Sequence, residues 1–278
     1  GDRSLQFLDQ RAAAPDKPWL LSLHFTAPHW PWEGNDAAGR AESARIDATA
    51  STVPLGIAHY DGGTMQTYAD MVTNLDANIG RVLTRLAQLG MQQDTVVVFT
   101  SDNGGERFSN SWPFSGVKLE LLEGGIRVPL IVRWPGLTAP GSTSDSPVMS
   151  MDFLPTFLAA ADGATDPAFP ADGVDIRPAL AGSTLPERTQ FWRFHHNEQR
   201  AVRRGQYKYL KIGEHEHLFD IIADPRERGD LAARMPEKFA ELQAAWLAWN
   251  QGMLPDPGDV STNGWDGEHM ADRYAPPE

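Results

Sequence analysis

The residues best suited to chemistry lie in two neighbouring stretches, VVVFTSDNGG (Val96 to Gly105) and GVKLELLEGGIRVP (Gly116 to Pro129). The first reads as a buried strand leaving a core, after which Asp102, Asn103, Gly104 and Gly105 turn the chain. A carboxylate and an amide oxygen therefore arrive together at a strand tip. In open α/β sheets ligands sit at the carboxyl ends of the strands, and paired hard oxygen donors there suit Ca²⁺ or Mg²⁺ better than a thiophilic metal. The same four residues also read as an Asx-type turn closed by glycines, and the local sequence leaves both readings open. In the second stretch Lys118 offers three donors and a compact charge to an oxyanion. Glu123 reads as a structural acceptor, and Gly124-Gly125 permit a backbone turn that side chains would obstruct.

Upstream, in KPWLLSLHFTAPHWPW, residues Trp19 to Phe25 read as a buried strand that Thr26-Ala27-Pro28 breaks. His29 then emerges between two prolines, which restrict the backbone and leave it little conformational freedom to lose on engaging a ligand. A surface histidine in a Pro-rich loop is the alternative. His24, inside the strand, reads as a packed core residue, and Trp30 and Trp32 offer stacking surfaces for a sugar or an aryl ring.

Taken together, these blocks resemble the sulfatase family of the alkaline phosphatase superfamily. The Asp-Asn pair, the Gly-x-Lys segment leading into Glu-Gly-Gly-x-Arg, and the strand ending in Ala-Pro-His-x-Pro occur in the family's order. A closing region, FWRFHHNEQRAVRRGQYKYLKIGEHEHLFDIIADPRERGDLA, matches its Val-Arg hairpin, Lys-Tyr strand and Asp-Pro-x-Glu turn. The resemblance implies an alkaline-phosphatase-like α/β fold with a mainly parallel sheet sandwiched by helices, plus a smaller antiparallel sheet with a closing helix. It implies that Asp102 and Asn103 are metal ligands for Ca²⁺, with Mg²⁺ an alternative, and that Lys118 and His29 bind sulfate. His29 would also help protonate the leaving alcohol. The family's nucleophile is a formylglycine made from Cys or Ser in a Cys/Ser-x-Pro/Ala-x-Arg segment, which these residues do not contain. The nearest string, Thr184-Leu185-Pro186-Glu187-Arg188, has threonine at the critical place and reads as a loop. The chain opens at Gly1 on what reads as the end of a helix, so it is expected to be the C-terminal part of a longer protein and inactive on its own. By family, a periplasmic or secreted setting is implied.

The 278 residues carry 24 Lys plus Arg against 37 Asp plus Glu, a net charge of −13. No basic stripe is present for nucleic acid, and no apolar run is long enough to span a membrane. An anionic sulfate ester must therefore be attracted locally, by a metal and a few lysines and histidines. There are no cysteines, and the oligomeric state is not legible. Helices are expected over Ser4 to Ala14, Met65 to Leu89, Ser150 to Ala161 and Leu231 to Trp249, and strands over Thr95 to Thr100 and Arg127 to Trp134. Short strands over Phe191 to His195, Arg200 to Arg203, Tyr207 to Ile212 and His217 to Asp220 read as an antiparallel meander. The expected division is 1–186 for the large α/β part and 187–278 for the smaller one. Gly34 to Gly63 reads as a long loop shaping access, and strand alternation lets at most one of His195 and His196 face a ligand. The rival readings are a phosphomonoester or phosphodiester hydrolase on the same frame, against which Asp-Asn rather than Asp-His argues, and a non-catalytic binding remnant.

Overall fold

A computed structural model describes residues 1–29, 32, 34, 37, 41, 44 and 64–255. The expected access loop, apart from isolated positions, lies outside the described residues, as do Trp30 and the tail beyond 255. The chain forms two compact units, one of residues 1–92, 103–128 and 190–278, the other of 93–102 and 129–189.

In the larger unit, α1 (Asp2–Ala12) lies against α2 (Met65–Gln88), fastened by Arg85 Nε to Asp9 at 2.7 Å and Arg81 to Asp2 at 2.5 Å. The Thr64 hydroxyl caps α2 by accepting from Thr67 N at 3.0 Å, and Gly90 ends it at φ +72°, a conformation natural to glycine. Between these helices the structure corrects the expected strand over Trp19 to Phe25. No strand forms there, Leu20 is 74% exposed, and His24 is exposed with its Nε2 2.9 Å from Ser22 Oγ. Apolar composition suggested a buried strand, but among the described residues no neighbouring strand pairs with this stretch to form a ladder.

The unit's sheet has the order β3 (Thr189–Phe194), β4 (Gln199–Arg204), β5 (Tyr207–Ile212), β6 (His215–Asp220). β4 pairs antiparallel with β5, and β5 with β6, so the expected meander is observed. Alternation along β4 to β6 sends Ala201, Leu210 and Phe219 to one face and Val202, Tyr209 and Leu218 to the other. The first face packs on Leu121 and, around it, Leu122 and Ile126. The second packs on Leu242 and Trp246 of α6 (Pro236–Gln251). Each fully buried aliphatic side chain contributes roughly 1.5–3 kcal/mol, so the sheet is clamped from both sides. α6 starts at Pro236 rather than Leu231, because proline is preorganised for the first helical turn.

The smaller unit holds β1 (Val97–Thr100), paired with β2 (Leu130–Arg133) in the register Val97 with Arg133 and Thr100 with Leu130. This pair is antiparallel, so these two strands do not form the parallel ladder expected of the large sheet. A 3₁₀ turn, Ser150–Asp152, leads into α4 (Phe153–Ala160), shorter than the expected helix. Asp152 is fully buried and anchors this turn. Its carboxylate accepts from Met149 N at 2.7 Å and Val174 N at 2.9 Å, and is gripped by both terminal nitrogens of Arg188. Residues 184–188 are indeed irregular, and Arg188 is there to neutralise a core carboxylate.

Candidate active site

The segment after Asn103 is interlocked with the Glu-Gly-Gly turn through main-chain bonds. Gly104 N donates to Gly125 O at 2.7 Å, Gly124 N to Ser115 O at 2.6 Å, and Lys118 N to Gly105 O at 3.0 Å. The glycines are a steric necessity. A Cβ on Gly104 would stand 1.8 Å from Gly124 O, and one on Gly125 would stand 2.0 Å from Glu120 O. Backbones this close leave room for hydrogen only. The expected permissive turn is thus a two-way contact between both motifs.

This scaffold carries Lys118 into contact with His29. Lys118 Nζ lies 2.6 Å from His29 Nε2. Ammonium has donors only, so in this contact the imidazole nitrogen accepts. His29 is held in its turn by its own N–H, which donates to Thr26 O at 2.8 Å. Glu106 completes the cluster. It is ion-paired to Lys118, and its carboxylate stands 3.8 Å from His29 Nε2. The lysine and glutamate side chains are 18% and 16% exposed and the histidine 44%, so the group is sheltered yet open on the imidazole side. Sequence reasoning missed Glu106. No periodicity marks it, and its signal was its nearness in the chain to two candidate ligands.

Asp102 and Asn103 follow β1 at a bend, the aspartate exposed and the asparagine half-buried. Asn103 is tied to the cluster through the Gly104 and Gly105 bonds. Asp102 belongs to the smaller unit. Their carboxylate and amide oxygens are the hard donors that Ca²⁺ or Mg²⁺ takes. Among the described residues no group of three or more His, Cys, Asp or Glu is arranged to hold a metal.

Beneath the Glu-Gly-Gly turn two of the sequence blocks meet in a second, buried cluster. Lys208, fully buried, lies 2.9 Å from a carboxylate oxygen of Glu123 and 2.9 Å from one of Glu227. Glu227 also accepts from Glu123 N at 2.6 Å. Burial pushes the Glu227 carboxyl up, partly offset by Lys208. Glu123 is the structural acceptor expected of it, now with its partner named.

The neighbouring aromatic rings and histidines have partners of their own. Trp32 is 3% exposed and packs edge-on against Phe108 at 4.9 Å, so it is a core ring and not a substrate platform. Phe114 lies under the Arg127 guanidinium at 4.6 Å, and Trp112, 67% exposed, under Arg226 at 4.6 Å. His196 is buried beside Phe194, whereas His195, just past the end of β3, lines a cavity.

Comparison with known proteins identifies the family. A family model described as sulfatase matches residues 1–164, and one described as N-sulphoglucosamine sulphohydrolase, C-terminal, matches 118–246. Human arylsulfatase A is 38% identical over 187 residues, covering 63% of this chain and 36% of the relative. Rat steryl-sulfatase is 32% identical over 259 residues, covering 68% and 44%. Among solved structures, Ps i-CgsB in complex with k-i-k-neocarrahexaose shares 25% identity at a TM-score of 0.73, covering 89% of this chain and 53% of that one. BT4656 in complex with its substrate D-glucosamine-2-N,6-O-disulfate shares 26% at a TM-score of 0.54, covering 77% and 46%. The chain thus spans about half the length of these solved structures and less of the two mammalian relatives. The α/β fold is of the alkaline-phosphatase-like kind, and the match over more than half of its residues establishes that the chain belongs to the sulfatase family.

Proposed function

We propose that this chain forms part of a hydrolase that cleaves sulfate monoesters, and that Lys118 and His29 hold the sulfate. The observation that carries this reading is the contact of Lys118, His29 and Glu106 within the segment matched to the family. In the free chain Glu106 neutralises the ammonium, and His29 accepts from it. An arriving sulfate oxygen takes over the Lys118 donor, which releases His29 Nε2. That nitrogen can then take up a proton and deliver it to the departing alcohol oxygen, general acid catalysis suited to an imidazole near neutral pH. Lys118 stays on the transferred group, where its fixed charge opposes the developing negative charge.

The partial oxygen-donor set fits a hard cation. Asp102 and Asn103 would hold Ca²⁺, or Mg²⁺, which when bound supplies positive charge at the sulfate oxygens. A formylglycine nucleophile, as the family resemblance implies, would have to come from outside these 278 residues, which contain no cysteine and no matching segment. A sulfated carbohydrate is a fitting substrate class, since relatives include N-acetylgalactosamine-6-sulfatase and the disulfated glucosamine complex.

The test is the product of the complete reading frame, assayed on 4-nitrophenyl sulfate and 4-nitrophenyl phosphate. Turnover of the sulfate ester is expected to dominate, and K118A and H29A each to lower it by about 100-fold or more. Preference for the phosphate ester would replace the reading with a phosphatase, and unchanged turnover in K118A would remove the proposed site. The 278 residues alone are expected to show no turnover.

A further inference from the structure

We infer that the α6 side of the four-stranded sheet carries a second ligand site, which takes an anionic saccharide unit, a sugar ring bearing a sulfate or carboxylate. A cavity of about 310 Å³ opens there between the end of β3, the start of β4, the end of α6 and residues 253–255. That is about the lower limit for small-molecule pockets and enough for one sugar ring.

Two guanidiniums line it, and both are held in place. Arg193 donates to Asn250 Oδ1 at 2.9 Å and to Leu254 O at 3.0 Å, both neutral acceptors. Arg200 stands over the Trp246 ring, 4.5 Å from its centre. Among the described residues neither makes an ion pair, so two positive charges face the cavity with donors unspent in a chain of net charge −13. Fixed guanidinium forks match sulfate and carboxylate oxygens, and little further entropy is lost when they bind.

The ladder sharpens the contrast. Arg203 stands opposite Lys208, and Arg200 opposite Lys211. Like charges directly opposed across a strand pair are unfavourable. On the face toward Leu121, Glu123 and Glu227 meet Lys208. On the α6 face Lys211 has Glu198, 66% exposed and 3.2 Å away, and Glu216 opposite it across β5 and β6, which leaves Arg200 for a ligand. An apolar wall from Pro255, with Leu254 84% exposed, suits the C–H face of a ring. The site is distinct from the Lys118 cluster, because Arg200 shares its face with Val202 and Tyr209, while Leu121 packs on the opposite one.

The choice of a sulfated probe rests on the proposed reaction, whereas the site does not. The test is titration of the chain with glucose 6-sulfate and with glucose, followed by NMR or calorimetry, in wild type and in an H29A/K118A double variant that removes the other anion-binding cluster. Binding of the sulfated sugar is expected to survive in the double variant and to weaken about tenfold or more in R200Q. E198Q, which removes the cavity's carboxylate, is expected to strengthen it about threefold, a gain that misfolding would not produce. Loss of binding in H29A/K118A, equal binding of glucose, or unchanged affinity in both R200Q and E198Q would overturn the site. If the complete protein proved to cleave phosphate esters, the double-variant titration would still decide this site independently.

Discussion

Lys208 and Lys118 are two lysines in the same unit, each set against carboxylate, and they have opposite tasks. Lys208 is fully buried between Glu123 and Glu227, whose side chains are 3% and 0% exposed. Lys118 is 18% exposed, with one carboxylate and an imidazole that is 44% exposed. A buried charge that loses its partner cannot be rescued by water, so the Lys208 cluster has one stable arrangement. A half-open charge can exchange one anion for another at modest cost. The difference suits the proposed sulfate site: a fixed base that sets the Glu-Gly-Gly turn, and above it a lysine able to trade Glu106 for a ligand.

The comparison is broken most directly at Lys208. K208M leaves two buried carboxylates facing an apolar chain and is expected to lower stability by about 3–5 kcal/mol, measured by urea unfolding. A triple variant that also carries E123Q and E227Q should recover part of that loss. A cost below about 1 kcal/mol for K208M would mean that the buried triad does not set the turn. A smaller loss is expected at the interlock between the motifs. In G104A the new methyl would meet Gly124 O, 1.8 Å away in the present backbone, and the backbones must part. The overpacking is expected to cost about 1–3 kcal/mol by the same measurement.

On the open side, stability should hardly notice what binding feels. K118A is expected to change unfolding free energy by less than about 1 kcal/mol, while abolishing measurable sulfate binding at the His29 cluster. E106Q is expected to strengthen sulfate binding there about threefold to tenfold, since a competing carboxylate has been removed. Weaker sulfate binding in E106Q would show that Glu106 supports the anion site through His29 and does not compete for it.

How much of this could be read beforehand follows the same division. The meander of β4 to β6 was legible because alternation, Gly turns and β-branched or aromatic residues all agree there. Lys118 and His29 were legible only as members of motifs. Their contact spans 89 positions in sequence, and no local pattern encodes that. Glu106, Lys208 and Glu227 were not read as functional partners. A buried salt bridge is specified by tertiary closure, and in sequence its members look like ordinary polar residues of a turn or a strand. The strand expected over Trp19 to Phe25 failed for a related reason: apolar content marks a wish to be buried, but a ladder needs a neighbour. His24 and Trp32 exchanged places for the same cause, the histidine exposed and the tryptophan core.

The smallest expected effect tests how Glu227 is presented to Lys208. Glu227 sits at φ +53°, a left-handed conformation that a glutamate adopts only when its surroundings enforce it. The enforcing residue is Asp224, whose carboxylate accepts from Arg228 N and Gly229 N, each at 2.7 Å, while its carbonyl accepts from Glu227 N at 3.1 Å. The Gly229 and Arg228 N–H groups hold the Asp224 carboxyl below its ordinary range. A depressed carboxylate pKa contributes stability above the unfolded value and loses it as pH falls through the folded one. D224N is therefore expected to lower stability by less than about 1 kcal/mol at pH 7, discounted for the solvent around this turn. The gap from wild type should then narrow as pH falls below the normal aspartate range, where the wild-type carboxylate also becomes neutral. Unfolding of both chains from pH 7 down to pH 2 measures it. A gap that stayed constant with pH would show that the asparagine acts through shape alone, and that charge at Asp224 has no part in holding Glu227 over Lys208.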